Sequence, residues 1–160
     1  SVVGVRGRME LVGRCHSGAA IYVDYAHTPD ALQSALQALR FHIPGRLHLV
    51  FGCGGERDHG KRSLMGRVAA KLSDRIIVTD DNPRGEDAAT IRADILRGCR
   101  NATEVGDRAE AIAVGIAELG CGDALLIAGK GHETIQILGD RTVEFDDAAV
   151  ARAAVGVQEL

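Results

Sequence analysis

Tryptophan is absent from this chain and aromatic residues make up only 3% of it. The stacking platforms on which nucleic-acid binders lay bases are therefore missing. Lys and Arg number 19 against 22 Asp and Glu, and they gather into no basic stripe. Both observations exclude a nucleic-acid partner. Long apolar runs are lacking too, and the N-terminus shows no charged-then-apolar leader, which argues against a membrane partner. Cysteine is sparse and scattered, at Cys15, Cys53, Cys99 and Cys121, with no C-x-x-C pair and no histidine at zinc-finger spacing. Such cysteines read as reduced thiols in a cytoplasmic protein, with no metal site among them.

Hydrophobic residues, by contrast, form 46% of the 160 positions, enough for a single domain with a core of Val, Ile, Leu and Ala, and 20 glycines point to many tight loops. The opening stretch over 1–7 reads as a linker or domain junction, followed by one domain over 8–160. Arg8 to Gly13 and Ala19 to Asp24 read as strands of an N-terminal hairpin about a His16-Ser17-Gly18 turn. Thr28 is a good N-cap and Pro29 a good first helical residue, with Leu32, Leu36 and Leu39 following at helical spacing.

Strand and helix then alternate: a strand at Arg46 to Phe51, a helix at Lys61 to Leu72 with Leu64, Met65, Val68 and Leu72 on one face, and a strand at Ile76 to Thr79. A helix from Asp87 to Arg97, a short edge strand near Thr103 to Val105, a helix from Ala109 to Leu119 and a strand at Ala124 to Ala128 follow. Arg141 to Phe145 alternates like a further edge strand, and Asp146 caps a last helix. This order predicts a Rossmann-like α/β fold, mostly parallel, with helices on both faces.

The most concentrated chemistry is Asp80-Asp81-Asn82-Pro83-Arg84, directly behind the apolar run Ile76-Ile77-Val78. In open α/β sheets the loops at the carboxyl ends of the strands line the ligand crevice. Arg84 offers a fork of donors for a carboxylate or phosphate, Asn82 both donates and accepts, and Asp81 can take an ammonium. Pro83 restricts its own φ and that of Asn82. Together they suit a zwitterion, although an Asp/Asn/Pro string also makes turns with no ligand at all.

Three further loops carry polar groups. Gly52 to Ser63 nearly satisfies G-x-x-x-x-G-K-[ST], but Arg62 stands where the hydroxyl belongs, so an autonomous NTPase loop is rejected. What remains is a glycine-rich place for anions, with Arg57, Lys61 and Arg62 beside a helix N-terminus. Gly129-Lys130-Gly131-His132-Glu133 brings a carboxylate and exposed carbonyls suited to an ammonium, or else is a solvated turn. It departs from H-E-x-x-H at Gln136, so it is no zinc-protease signature. Asp24 at a strand end could accept ribose hydroxyls, and His27 could lie against a purine or simply pack.

Taken in order, Asp24-Tyr25-Ala26-His27-Thr28-Pro29-Asp30, the Gly52 to Arg62 loop, Asp81-Asn82-Pro83-Arg84 and Gly129-Lys130-Gly131-His132-Glu133 resemble the C-terminal domain of the Mur ligases. Within that family they are most similar to the members that add meso-diaminopimelate. The resemblance implies part of an ATP-dependent amide ligase of peptidoglycan synthesis, working through an acyl phosphate on a UDP-N-acetylmuramoyl dipeptide. It implies that Asn82 and Arg84 hold the far carboxylate of meso-diaminopimelate, with Asp81 among the residues that bind this amino acid. Gly129, through its carbonyl, and Glu133 would hold the ammonium beside that carboxylate, and Arg57 the carboxylate nearer the reacting amine. Asp24 and His27 would meet the ribose and adenine of ATP, and Lys61 a phosphate. Ligands for Mg2+ and the UDP-sugar pocket are expected in preceding domains, so the domain alone would catalyse nothing. A sister ligase for another amino acid, or a stand-alone nucleotide or amino-acid binding module, are the alternatives.

Overall fold

A computed structural model describes residues 6–158. Its main sheet has six strands in the order β1-β2-β6-β3-β4-β5. These are β1 (Glu10–Arg14), β2 (Ala20–Asp24), β3 (Leu47–Phe51), β4 (Arg75–Val78), β5 (Thr103–Glu104) and β6 (Ala124–Ala128). The edge strand β1 pairs antiparallel with β2, and every other pairing is parallel. The predicted hairpin, the mostly parallel sheet and the Thr103 edge strand are therefore all present.

Alternate residues of each parallel strand feed two separate cores, as pleating requires. Leu47, Leu49, Phe51, Val78 and Leu126 pack under helices α1 (Pro29–Arg40), α2 (Gly60–Leu72) and α3 (Ala88–Leu96). Ile21, Val23, Val50, Ile77, Leu125 and Ile127 pack under α4 (Arg108–Ala117) and α5 (Asp147–Gln158). Helices thus cover both faces, which is why the central strands are apolar on both sides. Thr28 caps α1 by accepting the Ala31 N–H at 3.2 Å, and Pro29 is its first residue. Asp146 accepts the N–H groups of Ala148 and Ala149 at the start of α5.

Two expectations need correcting. Arg141 to Phe145 is not an edge of the main sheet: β8 (Arg141–Glu144) pairs with β7 (Ile135–Leu138) in a separate antiparallel hairpin. The buried face of α2 is Arg62, Met65, Gly66 and Ala69, and Leu64 is 45% exposed. Of the stretch read as a junction, 1–5 lies outside the described residues. Gly7 packs so closely on the Gly131-His132 backbone, at a φ of +79°, that a Cβ there would overlap it.

Candidate functional site

Because β2, β6, β3 and β4 run parallel and side by side, their carboxyl ends deliver four loops to one edge of the sheet. These are the four stretches singled out from the sequence. They are joined to one another by short contacts. The Gly129 N–H donates to the Asp24 carbonyl at 3.1 Å, the Gly55 N–H donates to the Asn82 carbonyl at 2.7 Å, and Lys61 Nζ donates to the His27 carbonyl at 2.8 Å. Glycine is needed where loops touch: a Cβ on Gly55 would overlap the Pro83 carbonyl, and one on Gly52 the Thr79 carbonyl.

Arg84 sits at a φ of +54°, a left-handed conformation that costs a non-glycine residue on the order of 1 kcal/mol or more. Its Nη1 donates to the carbonyls of Gly55 at 3.1 Å and Asn82 at 3.4 Å. Nε and Nη2 donate to nothing among the described residues, so the fork is anchored at one end and available at the other. Arg57 is exposed and lies near Gly54, whose Cβ position is 2.8 Å from Arg84 Nη1 and 3.6 Å from Arg57 Cγ. The Arg84 guanidinium and the Arg57 side-chain stem therefore approach the same glycine.

Asn82 and Asp81 are 6% and 7% exposed. Asn82 Oδ1 accepts from Lys130 Nζ at 2.8 Å and from the Ile137 N–H at 2.9 Å. The ammonium that Asp81 faces is that of Lys130, at 3.5 Å. Lys130 itself is fully buried, and burial pushes its ammonium pKa down, opposed by Asp81. The Gly129-to-Glu133 loop is closed by the Glu133 N–H donating to the Lys130 carbonyl at 3.0 Å, and the half-buried Glu133 carboxylate adds its charge to the environment of Lys130 and Arg108.

On the other flank, His27 and Tyr25 are exposed with ring centroids 4.5 Å apart. The Asp24 carboxylate already accepts from Met9 N–H at 2.7 Å and Ala26 N–H at 2.8 Å, one on each oxygen, so it braces its own loop. A hydroxyl would have to share those oxygens. Lys61 is partly exposed and its Nζ is tied to the His27 carbonyl, while His27 Nδ1 lies 2.9 Å from the Tyr25 carbonyl, which leaves the imidazole face and Nε2 open to solvent.

Arg62 does not belong to an anion site. It is wholly buried and spent on Glu86, bidentate at 2.7 and 2.8 Å, on Asp94 at 3.0 Å and on the Gly54 carbonyl. Hydrogen bonding from Arg62 holds the Glu86 carboxyl down at about 2. Sequence spacing had placed Arg62 beside Lys61, but on a helix adjacent residues point in different directions. Lys130 is the residue that sequence reasoning passed over, and Gln136 another, its Nε2 donating to the Asp81 carbonyl at 2.8 Å. The signal was thin: a lysine between two glycines reads as solvated. Among the described residues no group of three or more His, Cys, Asp and Glu could hold a metal ion.

The fold and its contacts define an α/β domain that gathers four polar loops at the carboxyl edge of its sheet. The chain belongs to the Mur ligase family, whose glutamate ligase domain model matches residues 7–131. A relative from Agrobacterium fabrum, a UDP-N-acetylmuramoyl-L-alanyl-D-glutamate--2,6-diaminopimelate ligase, is 54% identical over 99% of this chain and 32% of its own. A ligase of the same name from Zymomonas mobilis is 56% identical over 94% of this chain. The chain therefore spans about a third of the length of the curated relatives it matches. A solved ligase of that name superposes with a TM-score of 0.91 at 40% identity, over 99% of this chain and 33% of that one. A more distant likeness, of fold alone, is the UDP-N-acetylmuramate-alanine ligase of Thermotoga maritima, at a TM-score of 0.67 and 19% identity.

Proposed function

We propose that this domain is the amino-acid-binding third of an ATP-dependent ligase that adds meso-diaminopimelate to UDP-N-acetylmuramoyl-L-alanyl-D-glutamate through an acyl phosphate. The observation that carries the reading is the pairing of relatives above 50% identity bearing that name with the convergence of Arg57, Asn82, Arg84 and the Gly129-to-Glu133 loop on one edge. In this reading Arg84 and Asn82 donate to the carboxylate at the far end of the amino acid. Glu133 and the Gly129 carbonyl accept from the ammonium beside it, and Arg57 holds the near carboxylate. Asp81 acts from beneath, balancing Lys130.

ATP would meet His27 and Lys61 on the neighbouring flank, with Asp24 shaping that loop. Mg2+ would be held by parts of the enzyme other than this domain. The chain's own work is to bind and orient the amino acid and to exclude water when the site closes. Lysine lacks the second carboxylate, so accepting it would leave the Arg84 fork unpaired, a penalty on the order of 1–3 kcal/mol or more. The test is Arg84→Ala in the full-length enzyme. A fall of tenfold or more in preference for diaminopimelate over lysine is expected; an unchanged preference overturns the reading.

A further inference from the structure

Lys130 is the one lysine of the chain that is both fully buried and aimed at the recognition loop. Its ammonium donates to Asn82 Oδ1 and to the Ile135 carbonyl, each at 2.8 Å, and pairs with Asp81 Oδ1 at 3.5 Å, so it bridges two segments, the Asp81-Asn82 loop and the start of β7. A buried cation is tolerated when paired and fully hydrogen-bonded, and Asp81 supplies the opposite charge.

The effect on Asn82 is specific. Both lone pairs of its Oδ1 are filled, one by Lys130 and one by the Ile137 N–H at 2.9 Å. Flipping the amide would set its NH2 group against two donors, leaving all of them unsatisfied in a buried place. Only one orientation survives, with Nδ2 turned away from Lys130. Nδ2 donates to nothing among the described residues.

We infer that Lys130 is a positioning residue for the amino-acid substrate. Resting on the function proposed above, its ammonium aims the Nδ2 donors of Asn82 at the far carboxylate and ties them to the loop that carries Gly129 and Glu133. The two halves of the zwitterion site, which come from different strands, are thereby set at a fixed spacing.

The test is a double-mutant cycle in the full-length ligase with Lys130→Met and Asn82→Ala. Lys130→Met should raise the KM for diaminopimelate about tenfold and leave the KM for ATP within about twofold. In the Asn82→Ala background the same substitution should add less than about twofold, because the group it aims is gone. Equal effects on both KM values, or a full tenfold increment in the Asn82→Ala background, would overturn the inference. Should Lys130→Met not fold, Lys130→Gln, a shorter neutral side chain that can still hydrogen-bond where it is buried, withdraws the donor from Asn82 Oδ1. A raised diaminopimelate KM there supports the inference and an unchanged one overturns it. Arg84→Ala separates the two proposals: if it shifts substrate preference while the Lys130 cycle fails, only the positioning role is lost.

Discussion

The main-chain N–H of Arg84 donates to the carbonyl of Ile137 at 3.1 Å, and Arg84 forms an isolated parallel bridge with Leu138. The loop that carries Asp81, Asn82 and Arg84 thus hangs on a hairpin outside the main sheet. That attachment over-determines the Arg84 backbone and lets it keep its φ of +54°.

Backbone strain and substrate recognition at this position are separable. Arg84→Gly accepts a positive φ freely, whereas Arg84→Ala does not. By denaturant titration the glycine variant should be more stable than the alanine variant by about 1 kcal/mol. Both should lose the diaminopimelate preference to the same degree.

Close approach of the Gly55 and Pro83 backbones predicts a second contrast. Gly55→Ala drives its methyl into a carbonyl that cannot swing aside. It should separate the two loops, lowering the melting temperature and raising the diaminopimelate KM by tenfold or more. Gly13 has nothing within 4 Å of its Cβ position and no positive φ. Gly13→Ala should stay within about 0.5 kcal/mol of the parent and leave KM unchanged.

Beneath the site, Arg108 donates to both oxygens of Asp147 at 2.8 Å and to the carbonyls of Asp80 and Ala128 at 3.1 Å. Both side chains are fully buried. Burial works against the guanidinium charge, but Asp147 outweighs it and raises the Arg108 pKa. Asp147→Ala leaves that charge uncompensated and should cost about 3–5 kcal/mol in denaturant unfolding.

Glu86 makes stability depend on acid. Its folded pKa of about 2 lies below the ordinary 4.5, so the Arg62–Glu86 pair stabilises the fold fully above the unfolded value. The contribution is lost as pH falls through that window toward about 2. The stability difference between the parent and Glu86→Gln, read by denaturant midpoints, should therefore be largest at neutral pH and shrink on acidification. A difference that grew below pH 4 would contradict the assignment.

Much of the fold is legible in the sequence. Ile76-Ile77-Val78 and Ala124 to Ala128 announce strands buried on both faces, and Thr28-Pro29 announces a helix start, because each is a local consequence of side-chain shape or capping. That four loops would share the carboxyl edge was legible for the same reason, as polar strings behind apolar runs. Strand β7 was not: Gln136 breaks its pattern, and its burial depends on bonding the Asp81 carbonyl, 55 positions away. Arg62 and Lys130 failed alike. Whether a cation reaches solvent or is sealed in depends on which acceptors the fold brings to it, and those of Lys130 come from Asp81, Asn82 and Ile135.

The flanks of the main sheet have their own bearing on how the molecule behaves in a crowded solution. One flank, β5, is two residues long, and the other, β1, carries an irregularity between Leu11 and Gly13, with the Val12 carbonyl already taken by Arg152 Nε at 3.0 Å. A passing copy finds little straight, vacant main chain to zip onto, so the architecture guards itself against runaway strand addition.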